Sequence, residues 1–534
     1  MAPVVRVAAA QIEAGQDIAA NLAACLRVID AAAAAGAQLV VLPEFCNHLS
    51  WYANRAQAHE LATRPGDAFL TAIAGRARQH EMWVKINVTH AHPDGTTGGT
   101  NFLFDPAGAI VGTSDKQTLM GAENDFLSPS KKVGPVLETP LGCLGMYACM
   151  EGVINEVTRG LVLRGAQVLL NSLNSFALDE ADLHIPVRAA ENKAWVVAAN
   201  KVGPLLPVDE LPAIAARLGV PPEWLHGAGE SQIVAPDGTV VAKAPRTGEA
   251  IVVADIDPAL ADDKRRPDGT DILANRRPSL YGPLGDPPVG RRRGPGAPTL
   301  PVAVVRAPEL VRETALGGAQ LIVLPQLTGS PVALAAALGG TGAHAVTTVI
   351  ENGAHVGVVV GSSGVIARQP QLHASRGVGA AGFEPTGKRI VPVDLPWGRL
   401  AVVVGDDALY PETFRLAALL DADVVAVPYR AQEPWEMSLG LPERAAENRL
   451  NVVVATPEGQ AAAIFAMSPD FTLWTQWQGP FTGRISTPIR TDVPAGTAVG
   501  TAVVNPAQAA NRQVSRRTDL VDGRPWRLVD ALTR

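Results

Sequence analysis

The sequence predicts an α/β protein in which one layered unit occurs twice in tandem. Three observations carry that expectation. The chain has 534 residues, beyond the roughly 100–250 residues of an ordinary domain. Its two halves repeat several segments in the same order. Within each half, short apolar runs alternate with longer helical stretches, and the short runs are apolar throughout, as in sheets covered on both faces.

The repeats come first, because overlooking them would misassign the whole fold. Ala37-Gln38-Leu39-Val40-Val41-Leu42-Pro43-Glu44-Phe45 returns as Ala319-Gln320-Leu321-Ile322-Val323-Leu324-Pro325-Gln326-Leu327. Arg188-Ala189-Ala190-Glu191-Asn192 returns as Arg444-Ala445-Ala446-Glu447-Asn448. Thr270-Asp271 with Arg277-Pro278 is echoed by Thr518-Asp519 with Arg524-Pro525. One period so long is a duplicated domain, not a solenoid. Residues 283–299 form the join, where Pro and Gly surround Arg291-Arg292-Arg293 and exclude helix and strand interiors. The expected division is therefore 1–282, a linker over 283–299, and 300–534.

Inside the first copy, residues 4–9 read as a strand, 21–34 as a helix and 38–42 as a strand closed by Pro43. Residues 166–170 follow a helix end as a buried strand, 187–194 read as a helix and 195–199 as extended chain.

Composition narrows the class. Hydrophobic residues make up 47% and aromatics only 5%, so the core rests on Ala, Val, Leu and Ile. A net charge of −7 gives no footprint for nucleic acid, and the arginine cluster reads as a solvated linker. Cys25, Cys46, Cys143 and Cys149 form neither CxxC nor a disulfide framework. The start, Met1-Ala2-Pro3-Val4-Val5-Arg6, lacks the apolar core of a signal peptide. No apolar run reaches the ~18–20 residues of a membrane span. The expectation is a cytoplasmic chain with free thiols and no membrane or nucleic-acid partner.

Three places in the first copy can present a reactive group at the end of a buried strand. Glu44 follows Leu42-Pro43, where poor solvation raises a carboxyl pKa and suits it to proton transfer. Lys116 stands seven residues before Glu123, and a lysine held by carboxylates stays charged and can stabilise an oxyanion. Cys149 follows the apolar run 144–148 and precedes a helical stretch, so the helix terminus is expected to favour thiolate. Cys25 and Cys143 read as structural cysteines, and Cys46 could line a site near Glu44.

Taken together, these residues and their context resemble the nitrilase superfamily of carbon–nitrogen hydrolases. The resemblance runs through Leu42-Pro43-Glu44-Phe45, Lys116 with Leu119, Glu123 and Phe126, and Cys149 with Glu156 and Arg159. It continues through Gly165-Ala166, residues 188–192, Asn200, Gly229-x-Ser231-x-Ile233-Val234, Pro236-Asp237-Gly238, Arg276-Arg277-Pro278 and Tyr281, covering nearly all of 4–281. The segment Cys149-Met150-Glu151-Gly152 departs from the usual wording and matches no substrate subgroup.

The resemblance implies a four-layer αββα sandwich, in two copies here. It implies that Glu44 deprotonates Cys149, that Lys116 and the Met150 N–H stabilise the oxyanion, and that Glu123 orients Lys116. An amide or N-carbamoyl compound would be cleaved through a thioester, releasing ammonia or an amine, with water as second substrate and no metal or organic cofactor. A nitrile is the alternative substrate, and a non-catalytic scaffold the alternative class. The displacement that carries Arg188 to Arg444, 256 residues, also carries Arg159 to Arg415 and places Gly405 at Cys149. Gln326 takes the place of Glu44, and no lysine is available for Lys116. The second copy is therefore expected to be a degenerate, inactive pseudo-partner docked on the first, with further homo-oligomers open. Substrate-wall residues are expected from loops near 46–55, 120–127 and 172–185, with His48, Trp51, Asn174, Asp179 and His184 as candidates.

Overall fold

A computed structural model describes residues 4–376 and 383–534; Met1-Ala2-Pro3 of the segment read above lie outside the described residues. In the first copy one sheet holds β1 (Val5–Gln11), β2 (Leu39–Val41), β3 (Trp83–Ala91), β4 (Thr97–Phe104), β5 (Ile110–Asp115) and β12 (Ala250–Ile256). The other holds β6 (Val136–Thr139), β7 (Gly142–Ala148), β8 (Val168–Ser172), β9 (Trp195–Ala199), β10 (Gln232–Val234) and β11 (Val240–Lys243). Their strand orders are β12-β1-β2-β3-β4-β5 and β11-β10-β9-β8-β7-β6.

The second copy repeats this plan. Its first sheet holds β13 (Leu300–Val305), β14 (Leu321–Val323), β15 (His344–Glu351), β16 (Ala354–Gly361), β17 (Gly364–Pro370) and β24 (Val499–Val504). Its second holds β18 (Val393–Leu395), β19 (Gly398–Val402), β20 (Val424–Pro428), β21 (Asn451–Ala455), β22 (Ala462–Ala466) and β23 (Ile489–Val493). The orders, β24-β13-β14-β15-β16-β17 and β18-β19-β20-β21-β22-β23, match the first copy strand for strand. The fold is an α/β four-layer sandwich in two tandem copies.

Small side chains set the layers. Between the first copy's sheets, Val7, Ala9, Leu39 and Val41 meet Leu144, Met146, Val168 and Leu170. Outside them, α1 (Ile18–Ala34) and α2 (Ala68–Gln79) bury Cys25, Val28, Ile29, Phe69 and Ile73 against the other face of the first sheet. The outer face of the second sheet is covered by α4 (Glu156–Leu163) and α5 (Ile185–Ala190) through Val157, Leu161, Ile185 and Ala189. The four-residue helix α3 (Met150–Val153) precedes α4. Strands buried on both faces explain the unbroken apolar runs.

The copies meet through reciprocal contacts of these outer helices with α6 (Pro411–Leu419) and α7 (Leu441–Asn448) of the second copy. Arg159 Nε donates to Glu412 at 3.1 Å, and Arg415 Nε donates to Glu156 at 2.8 Å. Arg188 Nη2 donates to Glu447 at 2.8 Å, and Arg444 pairs with Glu191. Each residue of a motif thus faces the partner of its own counterpart, the signature of an isologous face. The tails cross as well. Arg276 of the first copy reaches Glu412 at 2.8 Å, and the Tyr281 hydroxyl lies 2.6 Å from His373 Nε2. Thr518 of the second copy accepts the Gly121 N–H at 2.8 Å.

Of the arginine cluster, Arg292 and Arg293 are exposed, as a solvated linker would have them, and Arg291 departs from that reading. Arg291 is half-buried and its side chain pairs with Asp423, the Arg292 N–H donates to Asp421 at 3.0 Å, and Arg293 pairs with Asp394 at 3.1 Å. Two buried aspartates on the second copy hold the join, because a lone buried carboxylate is costly. No helix among the described residues is long and apolar enough to cross a membrane.

Candidate functional site

Pro43 ends the run that forms β2, and the chain turns through Phe45 at φ +48°. That turn leaves Glu44 fully buried at the sheet's end. Lys116 follows β5, and its stem crosses β4 at Gly99. A Cβ on Gly99 would lie 2.9 Å from Lys116 Cδ and 3.2 Å from the Phe45 ring, so only glycine lets the lysine pass. Lys116 Nζ donates to Glu44 Oε1 at 2.6 Å and to Glu123 Oε2 at 2.8 Å.

The electrostatics follow from burial and pairing. Burial raises the Glu44 carboxyl to about 7 against the pull of Lys116. Burial also opposes the Lys116 charge, but Glu123 and then Glu44 overcome it and raise its pKa. Glu44 Oε2 has no partner, so one lone-pair site remains for a proton.

Cys149 sits between β7 and α3 at φ +46°, ψ −108°, outside the helix and strand wells. Strain of this kind collects at functional sites and is held by the surrounding bonds. Here the Cys149 N–H donates to Ser172 O at 3.0 Å and to Asn171 Oδ1 at 3.2 Å. The thiol is not the helix-favoured thiolate expected from sequence. Burial, then Glu44 and Glu180, push its pKa well up, and α3 is too short to offset them. The group therefore rests as a thiol.

Glu151 explains part of the unusual Met-Glu-Gly segment. Its buried carboxylate accepts the N–H of Gln117 and that of Ala148, each at 2.8 Å. It thereby fixes the neighbours of Lys116 and Cys149 to each other. Arg188 donates to Gly152 O at 2.8 Å and to Val153 O at 3.1 Å. The same guanidinium reaches Glu443 and Glu447, so α3 is tied directly to the second copy.

Cys149 and Glu123 open onto a cavity of about 130 Å³. Of the wall candidates, Trp51, Asn174, Asp179 and His184 line it. His48 does not; it is buried against Tyr52 with its Nδ1 2.7 Å from Leu49 O. Cys46 is packed in the helix-side core, not at the site. Cys143 is partly exposed, unlike the buried structural cysteine expected. Sequence reasoning missed Glu180, on a π-helical turn (Glu180–His184), and the wall from the second copy formed by Leu473, Trp474, Ile485 and Val514. Asp179 holds that wall by accepting the N–H of Ile485 at 2.7 Å and of Thr487 at 2.8 Å.

At the matching place in the second copy, Gly405 has φ +53° and lies beside Gln326. The position of Lys116 is filled by Gln371. The Lys116 N–H donates to Gly99 O at 2.9 Å, and the Gln371 N–H donates to His355 O at 3.0 Å, on matching strands. Gln371 then bonds His355 at 2.6 Å, and Phe383 stacks on that imidazole. This place holds no thiol, lysine or carboxylate at the three positions.

A layered sandwich thus carries a buried Glu44–Lys116–Glu123 cluster and a strained cysteine, with Glu123 and Cys149 lining one cavity, a set of groups suited to nucleophilic thiol chemistry. Residues 6–266 match the family model for carbon-nitrogen hydrolases, and the N-terminal half of the chain belongs to that family. A nitrilase of Pyrococcus abyssi is 28% identical over 262 residues, covering 49% of this chain and 92% of that protein. Human deaminated glutathione amidase is 28% identical over 299 residues, covering 53% and 85%. Among solved structures, an amidase from a Nesterenkonia species is similar at 23% identity and a TM-score of 0.41, covering 50% of this chain and 95% of that one.

Proposed function

We propose that the first copy hydrolyses an amide or N-carbamoyl compound, with Cys149 as nucleophile. The observation that carries this reading is the buried Glu44–Lys116–Glu123 cluster, whose charges act on a strained Cys149 that shares a cavity with Glu123. Glu44 Oε2 takes the thiol proton, and sulfur attacks the carbonyl carbon. Lys116 and the Met150 N–H, which as the first of α3 has no intrahelical partner, stabilise the oxyanion. The tetrahedral adduct collapses as the amine leaves with the proton from Glu44. Water, deprotonated by Glu44, then attacks the thioester and the acid departs, restoring the thiol. No step draws on a metal or organic cofactor.

The second copy, 300–534, acts in this reading as an inactive partner that completes the cavity wall and braces the site; 283–299 joins the two. A cytoplasmic location fits free thiols. Nitriles remain the second substrate class, since a thiol adds to either carbon. The test is a panel of amides, N-carbamoyl compounds and nitriles assayed for ammonia release. Release from amides or carbamoyl compounds that disappears in Cys149→Ala supports the proposal; release only from nitriles, or release that survives in Cys149→Ala, overturns it.

A further inference from the structure

Among the described residues that line the cavity, four besides Cys149 carry titratable charge: Glu123, Asp179, Glu180 and His184. Three have partners within the protein. Glu123 pairs with Lys116, Asp179 accepts backbone N–H groups from 485–487, and His184 Nδ1 lies 2.9 Å from Glu443 Oε2. Glu180 differs. It is 5% exposed, and its Oε2 is buried without a partner. The other unpartnered buried polar atom on this wall is also an oxygen, Asn174 Oδ1. Both are acceptors waiting for a donor, and an unpaired buried carboxylate is expensive to keep.

The second copy shows what such a carboxylate binds. Displacement by 256 residues carries Glu180 to Glu436, which opens the matching π-helical turn (Glu436–Gly440). Glu436 is not empty-handed. The guanidinium of Arg266, from the crossed tail of the first copy, lies 3.0 Å from Glu436 and 3.2 Å from Asp406. The register of the tails identifies the counterpart of Arg266. Arg265 bridges Asp271 in one tail as Gln513 pairs with Asp519 in the other, so Arg266 corresponds to Val514. Val514 lines the cavity at Cys149. One site is therefore closed by a cation built into the chain, while the other has a valine and an open space.

We propose that the cavity at Cys149 takes a substrate whose far end carries a cationic amine or guanidinium group, paired with Glu180 as Arg266 is paired with Glu436. Leu473, Trp474, Ile485 and Val514 give the same cavity an apolar wall for the rest of that substrate. A carboxylate at that end meets Glu180 unfavourably and is refused. Burial, partly offset by His184, holds the free Glu180 carboxyl up at about 7, as expected of a charge that lacks its partner.

This inference rests on the hydrolase reading for its meaning but not for its test, which reads binding. Cys149 alkylation by iodoacetamide is followed by peptide mass spectrometry with hexylamine, hexylguanidine, hexanol or hexanoate present. The two cations are expected to protect Cys149, and Glu180→Gln to weaken that protection about tenfold, the worth of one charge-assisted hydrogen bond. Val514→Arg is expected to place a guanidinium against Glu180 and slow alkylation without any ligand. Equal protection by all four compounds, stronger protection by hexanoate, or an unchanged rate in Val514→Arg overturns the assignment. A parallel set of amides ending in ammonium, methyl or carboxylate reads discrimination, and the ammonium-to-methyl ratio of kcat/KM is expected to fall about tenfold in Glu180→Gln. Protection by cations without hydrolysis of any amide would sink the hydrolase reading and leave the Glu180 site standing.

Discussion

Arg415 stands in the half of the chain that lacks a thiol, yet Arg415→Leu is expected to weaken the whole molecule. Its guanidinium and the Glu156 carboxylate are both fully buried. It donates to Glu156 at 2.8 Å and to the carbonyls of Glu447 and Leu520 at 3.2 and 2.9 Å. Removing it strands a buried carboxylate at the start of α4, one turn past the Cys149 helix, at a cost of about 3–5 kcal/mol. The melting shift depends on how much chain unfolds together. Unfolding entropy near 2.1 cal/mol/K per residue converts 4 kcal/mol into a drop of about 4 °C if both copies melt as one, and about 7 °C if one copy melts alone. Calorimetry distinguishes the two by the enthalpy of the transition. The double variant Glu156→Leu/Arg415→Leu is expected to recover most of the loss, because apolar residues replace a buried pair at little cost. A single variant within one degree of the parent, or a double variant as unstable as the single, refutes the argument.

Further outcomes follow from the site. Cys149→Ala is expected to end ammonia release while circular dichroism stays that of the parent. Because the Glu44 carboxyl is raised to about 7, it is protonated below that pH and cannot act as base; the acid limb of kcat/KM is expected near pH 7 rather than the ~4.3 of an ordinary glutamate, and a limb below pH 5 would remove Glu44 from that role. Glu151→Ala frees the Gln117 and Ala148 N–H groups, so kcat is expected to fall at least about tenfold with little change in KM; a change confined to KM would contradict a positioning role. Gly405→Ala forces a side chain to φ +53° and is expected to destabilise by about 1–2 kcal/mol in a denaturant melt, whereas no change would show that the turn relaxes freely.

The sequence disclosed what is local and periodic. The copies, the strand runs and the residues at strand ends were all legible, since each is written within a few neighbouring positions. Arg188-Ala189-Ala190-Glu191-Asn192 marked the repeat, but nothing in one motif says that Arg188 faces Glu447 across the molecule. The wall of Trp474, Ile485 and Val514 lies hundreds of residues from Cys149, and a lone Glu180 carries no signal until its missing partner is seen. Gln371 could have been found by aligning strand ends, where it follows β17 as Lys116 follows β5. The thiolate expectation failed because a helix of one turn was weighed without the burial around it. The solvated reading of Arg291 failed because the aspartates that hold it lie over a hundred residues away.

The reciprocal arginine–carboxylate face joins two parts of one polypeptide, and that changes how the assembly answers to dilution and to mutation. Two separate sandwiches would part as their concentration fell; a tether of this length keeps the partner at an effective concentration on the order of millimolar whatever the dilution. Specific activity should therefore stay flat across protein concentrations at which a two-chain version would fade. In a symmetric dimer every substitution also appears twice, on both sides of the axis. Here Gly405 can stand opposite Cys149 and Arg266 opposite Val514, so each half is free to change without the other.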